Sequence, residues 1–165
     1  MDSLTNKHFE NMSIHADSIM PLIRQRLSSG QNIKGLGFQG VSMMPMLRQG
    51  KDTVELAPLP KKLKKYDLPL YSGPNGKYVM HRIVDVKDGA YICLGDNTYH
   101  YEKVSGDKMV AVVCAFTRNG KRVSVDNRGY RLYCRVWVFL YPVRKLIKRV
   151  EWGVMRRLRK LLKGE

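Results

Sequence analysis

The chain lacks most of the features that would place it at once. Acids are scarce: 14 Asp and Glu stand against 30 Lys and Arg in 165 residues. Cysteine is scarcer still, and Cys93, Cys114 and Cys134 are far apart. Three scattered cysteines make neither a disulfide framework nor a metal-ligand spacing. The expectation is free thiols in a reducing compartment, with no metal and no other cofactor. The N-terminus carries no long apolar run, so neither a signal peptide nor an N-terminal anchor is expected. Near the other end, Val136 to Val143 is free of charge but far shorter than the roughly 20 residues that span a bilayer. No internal repeat is present, and no RNA- or DNA-binding signature accompanies the positive charge.

What is present describes one folded unit. The length suffices for one compact domain and not comfortably for two, and 44% apolar residues is ordinary for a globular protein. The net charge of +16 favours anionic partners, either a phospholipid surface or nucleic acid.

Residues 1–15 are polar and mixed. From Ala16 to Leu27, Ile19, Leu22, Ile23 and Leu27 recur at helical spacing. Pro21 implies a late start, and Ser28-Ser29-Gly30 a stop. A helix this short is no independent DNA-binding domain. From Ile33 onward short strands and turns follow one another. Strands are expected at Phe38–Val41, Asp52–Ala57, Leu68–Tyr71, Tyr78–Val86, Tyr91–Leu94, Met109–Phe116 and Arg122–Val125. The turns fall at Ser72-Gly73-Pro74-Asn75-Gly76, Asp88-Gly89 and Asn119-Gly120. Lys61, Lys62, Lys64 and Lys65 read as a solvated loop.

In the tail, Phe139, Val143, Leu146, Ile147, Val150, Val154, Leu158, Leu161 and Leu162 step by three or four, between many Lys and Arg. This pattern predicts a basic amphipathic helix with Pro142 near its first turn. Such a helix lies in the interface of an anionic membrane, or packs on the β core with its charges in water. The organisation expected is a tail and short helix over 1–34, a mainly β domain over 35–127, and the basic helix over 128–165.

Ser42 sits in Gly40-Val41-Ser42-Met43-Met44-Pro45-Met46-Leu47, where Pro45 interrupts regular pairing just beyond it. Alone, this reads as a strand end with an incidental serine and core methionines. A serine becomes a nucleophile only with a base beside it. The histidines are His8, His15, His81 and His100, and only His81 lies in a strongly patterned strand, on the side of Val79 and Ile83. In isolation it is as readily a satisfied core histidine.

Four pieces occur in order: Gly40-Val41-Ser42-Met43-Met44-Pro45, Lys64-Lys65-Tyr66-Asp67, Tyr78-Val79-Met80-His81-Arg82-Ile83-Val84 and Leu94-Gly95-Asp96-Asn97. Over about residues 35–120 the sequence resembles the signal peptidase I and LexA-like serine peptidase superfamily. The nearer likeness is to its Ser-His branch, that of endoplasmic-reticulum and archaeal signal peptidases. Ser-Met-x-Pro matches the nucleophile box, His81-Arg82 the base position, and Gly95-Asp96-Asn97 the Gly-Asp-Asn box.

The resemblance implies a signal-peptidase-like β fold and a serine endopeptidase acting on a protein or leader peptide. Ser42 would be the nucleophile, His81 the general base, and Glu102 or Asp96 the acid that orients the imidazole. Arg82 is read as structural. Two departures bear on this. Membrane signal peptidases of the family usually carry an N-terminal anchor, and none is expected here. The membrane contact would then run through the basic helix, with the protein cytoplasmic or peripheral at the inner face of the cell membrane. Histidine where LexA-like proteins have lysine, and no DNA-binding domain, disfavour a self-cleaving regulator. The alternative from another class is a non-catalytic module that binds peptides or membranes.

Overall fold

The computed structural model describes residues 16–147. His8, His15 and the part of the expected basic helix beyond Ile147 lie outside the described residues.

The first element is α1, Ala16–Ser28. It does not start late: Pro21 lies inside it. The proline removes only the donor that would meet the Asp17 carbonyl, in the opening turns. Burial of Met20, Ile23 and Leu27 on one face offsets that loss. Gly30 ends the helix at φ +78, its N–H on the Leu27 carbonyl and that of Gln31 on Arg26. This paired closure needs a residue at ease in the left-handed region.

Among the described residues nine strands follow: β1 Ile33–Leu36, β2 Thr53–Ala57, β3 Pro69–Ser72, β4 Tyr78–Met80, β5 Arg82–Lys87, β6 Ala90–Leu94, β7 Glu102–Val104, β8 Met109–Arg118 and β9 Lys121–Ser124. All pairings are antiparallel. One sheet runs β1-β2-β8-β3-β4, with β9 also on β8; the other is β5-β6-β7. The protein is thus mainly β. The long β8 organises the first sheet: Met109, Ala111, Val113 and Ala115 alternate into the core, and Phe116 beyond them is buried as well. The hairpins β5–β6 and β8–β9 turn on Asp88-Gly89 and Asn119-Gly120, all four residues at positive φ. Such turns match the twist of the paired strands.

Two strand expectations are corrected. Phe38–Val41 forms no strand; turns occupy the serine stretch instead. The single strand expected over Tyr78–Val86 is two, in different sheets. β4 pairs with β3, whereas β5 pairs with β6, and His81 stands at the break. Past the break the other edge of β5 is taken by the 66–67 segment: Tyr66 N–H donates to the Ile83 carbonyl and Ile83 N–H to that of Asp67. β7 was not expected at all, being a three-residue strand too short to carry a periodic signal.

The chain ends its described course in α2, Arg128–Phe139, and a helical continuation, α3, over 141–147. The Asn127 side chain caps α2 by accepting from Tyr130 N–H at 3.1 Å. These helices have two apolar faces rather than one. Tyr130, Cys134 and Tyr141 are buried on the β core, while Leu132, Val136, Phe139, Val143, Leu146 and Ile147 are exposed. Among the described residues, no helix is long and apolar enough to cross a membrane.

Candidate active site

The loop that carries Ser42 is built from its neighbours. Met43, Met46 and Leu47 are buried and anchor it to the core, while Val41 and Met44 point outward. Gly40 enters it at φ +98 and donates its N–H to the Gln49 side chain at 2.7 Å. Met44 N–H closes a turn on the Val41 carbonyl, and Leu47 N–H one on Met43.

The other support is the Gly95-Asp96-Asn97 turn. Asn97 N–H donates to the Ser42 carbonyl at 2.7 Å, and its side-chain amide to the Val41 carbonyl at 3.2 Å. Gly95 is glycine for a steric reason. A β-carbon there would stand 2.8 Å from the Ser42 carbonyl oxygen and 2.8 Å from the Thr98 methyl group. The Gly-Asp-Asn turn therefore grips the backbone of the serine. The Ser42 hydroxyl itself makes no hydrogen bond among the described residues, to His81 or to any other group.

His81 is 7% exposed at the junction of the two sheets. Its Nδ1 faces two groups: Glu102 Oε1 at 3.2 Å and the Tyr71 hydroxyl at 3.2 Å. The Tyr71 hydroxyl donates to Glu102 Oε2 at 2.6 Å. Nε2 makes no hydrogen bond among the described residues, nor is it a closed-off buried atom, so it keeps access to solvent. Burial holds the His81 pKa below its ordinary 6.5, against the charge and hydrogen bond of Glu102 and, more weakly, the charge of Asp96. Cys93, packed beside Tyr71, is held as a neutral thiol: burial, and then the charge of Glu102, push its pKa up to about 12.

The two acids read from the sequence have different partners. Glu102, on β7, stands at His81. Asp96, 3% exposed, is engaged by Arg82, which donates Nε to Oδ1 at 2.9 Å and Nη2 to Oδ2 at 2.7 Å. Arg82 is 0% exposed, and its guanidinium also meets the Tyr130 hydroxyl, Cys134 Sγ and Met46 Sδ. The serine loop, the Gly-Asp-Asn turn, β5 and α2 thus meet at one side chain.

The Asp96 backbone adds to this. Its carbonyl accepts from Trp137 Nε1 at 3.0 Å and Arg144 Nη1 at 2.5 Å, and Tyr133 donates to Oδ2 at 3.2 Å. The C-terminal helices are therefore part of the wall behind the Gly95–Asn97 turn. Sequence reading gave no role here to Tyr71, Tyr133 or Trp137, and counted Arg144 among the charges of the basic helix. Their only signal was a polar-tipped aromatic or an arginine inside an apolar pattern, which many core residues share.

His100, the remaining described histidine, is exposed on the loop before β7. Among the described residues no cluster of His, Cys, Asp and Glu could hold a metal ion. A scan against protein-family models, a search of the curated proteins and a search of the solved structures found no match.

Chemically, the imidazole has one nitrogen beside a carboxylate and a phenol, and the other without a hydrogen bond among the described residues. That arrangement can take a proton at Nε2 and hold the resulting charge against Glu102.

Proposed function

We propose that this protein is a serine endopeptidase of the Ser-His signal-peptidase type, hydrolysing a peptide bond of a protein or leader-peptide substrate. The observation that carries the reading is His81: Nδ1 is held by Glu102 and Nε2 is open, on a residue whose neighbour Arg82 pairs with the turn gripping Ser42. In this reading His81 Nε2 takes the Ser42 proton as the hydroxyl attacks the scissile carbonyl. It then returns the proton to the leaving amine, while Glu102 stabilises the imidazolium. Asp96 acts at one remove, by fixing Arg82 and the turn.

The protein would work at an anionic membrane surface on the cytoplasmic side. Support comes from the exposed apolar stripe Leu132, Val136, Phe139, Val143, Leu146 and Ile147, with Arg128, Arg131, Arg135 and Lys145 also exposed on these helices. Residues 128–147 contain no acid. A second copy laid against this stripe would bring like charges together, whereas anionic head groups would neutralise them. The free thiols Cys93, Cys114 and Cys134 suit a reducing compartment.

A non-catalytic peptide- or membrane-binding module is the second reading, favoured by the missing hydrogen bond between the Ser42 hydroxyl and His81. In substrate-free sites such bonds are often long and tighten only with substrate bound. A fluorophosphonate probe on the full-length protein, followed by peptide mapping, separates the two. Modification at Ser42, abolished by Ser42→Ala and strongly slowed by His81→Ala, is the expected result. No modification of the wild type, or equal modification of all three, counts against the peptidase.

A further inference from the structure

Tyr71 belongs to none of the motifs read from the sequence, yet its hydroxyl touches both members of the His81–Glu102 pair. Its oxygen is 2.6 Å from Glu102 Oε2 and 3.2 Å from His81 Nδ1, and Glu102 Oε1 is 3.2 Å from the same nitrogen. A phenol has one hydrogen to donate, and a carboxylate can only accept. The shorter contact, to Glu102, takes that hydrogen. Nδ1 then faces only lone pairs, on the Tyr71 oxygen and on Glu102 Oε1. It must carry its own hydrogen, which leaves the lone pair of the neutral ring on Nε2.

The burial of the partners decides which one needs holding. Tyr71 is 1% exposed and packed in a cluster with Ile83, Cys93, Val104 and Met109. The Glu102 side chain is 35% exposed, on the three-residue strand β7, where water competes for its oxygens. Among the described residues its close polar contacts are the hydrogen bond from Tyr71 and the approach of His81 Nδ1 at 3.2 Å. A half-wet carboxylate has several rotamers open to it, and a rigid buried donor at 2.6 Å selects one.

We propose that Tyr71 is a positioning residue of this site: its hydroxyl clamps Glu102 in the rotamer that receives His81 Nδ1–H, and so presents Nε2 outward as the acceptor. The inference rests on His81 as general base, but the clamp can be tested without any activity. The other groups around the ring do not substitute for Glu102. Cys93 stays a neutral thiol, and the Asp96 carboxylate is tied to Arg82.

The test is long-range 1H–15N NMR of the histidine rings in the full-length protein, with His81 assigned through His81→Ala. The wild-type ring should be the Nδ1–H tautomer. In Tyr71→Phe, which keeps the buried ring, Glu102 turns toward water and less opposes the effect of burial. The His81 midpoint should then move to lower pH and the Nε2–H tautomer gain population, with Glu102→Gln shifting it the same way. Fluorophosphonate modification of Ser42 should slow by roughly ten- to a hundredfold in Tyr71→Phe, less than when the base itself is removed. An Nε2–H tautomer in the wild type overturns the proposal, as does a Tyr71→Phe spectrum whose His81 tautomer and midpoint match the wild type. Should Tyr71→Phe fail to fold, the wild-type tautomer and the Glu102→Gln shift still decide. The peptidase reading fails separately, if Ser42 is never modified while the NMR result stands.

Discussion

Arg82 and Asp96 form a two-point ion pair in the interior, with Nε at 2.9 Å and Nη2 at 2.7 Å from the two carboxylate oxygens. Both groups are almost wholly out of water, 0% and 3% exposed. Desolvating two charges is costly, and the pair is tolerable because each remaining polar edge has a partner. Removing one member leaves the other charged and buried. Asp96→Ala and Arg82→Ala should each lower unfolding free energy by about 3–5 kcal/mol in urea titrations. A loss within error for either would mean that water reaches the pair.

Gly95 gives a narrower prediction. The β-carbon of Gly95→Ala meets the Ser42 carbonyl and Thr98, both at 2.8 Å, so the turn and the serine backbone must part. Crowding of this kind costs about 1–3 kcal/mol. In the peptidase reading, modification of Ser42 by the probe should fall out of proportion to that modest loss, because the displaced atoms belong to Ser42 itself. Wild-type reactivity in a folded Gly95→Ala protein would show that this grip is not needed.

His81 sets a pH dependence whose sign follows from its lowered pKa. Above 6.5 the ring is neutral in the folded and the unfolded chain, and stability does not vary on its account. As pH falls below 6.5 the unfolded chain binds the proton first, so stability declines until the folded ring titrates as well. Urea unfolding between about pH 7.5 and about pH 5 should show a decline that is smaller in His81→Gln. In the peptidase reading, the rate of Ser42 modification falls over an acid limb centred below 6.5.

The exposed stripe makes its own prediction. Phe139 is 81% exposed, so Phe139→Ser should leave the melting temperature nearly unchanged. Co-sedimentation with vesicles rich in phosphatidylserine should weaken about tenfold or more, since roughly 1.5–3 kcal/mol follows the burial of such a side chain. Neutral vesicles should bind less well, and salt should weaken binding through the arginines. Equal binding by wild type and Phe139→Ser would remove this face as the contact.

The cap of α2 links the helix to the site. Asn127→Ala removes the acceptor for Tyr130 N–H and should cost about 1 kcal/mol. Since Tyr130 and Cys134 meet Arg82, the loss should also appear as faster amide exchange at Asp96 and Asn97. Faster exchange confined to α2 would show that the helix end and the turn open independently.

What the sequence determined by itself is local. The end of α1 at Gly30 and the hairpins at Asp88-Gly89 and Asn119-Gly120 were legible, because glycine and asparagine in the left-handed region act within four residues. The apolar run Met109–Phe116, closed by the Asn119-Gly120 turn, marked the central strand in the same local way. Only the tertiary structure decided the rest. Tyr78–Val86 has the composition of one strand, but its halves find partners in two sheets, and that break sets His81 at their junction. Whether Glu102 or Asp96 meets His81 depends on the burial of Arg82, a contact across 14 residues of chain with no local signature. Tyr71 reaches Glu102 across 31 residues, and nothing in its own strand marks it. Which face of the C-terminal helices is spent on the core, and which stays open, was likewise a matter of what the β sheets left to cover.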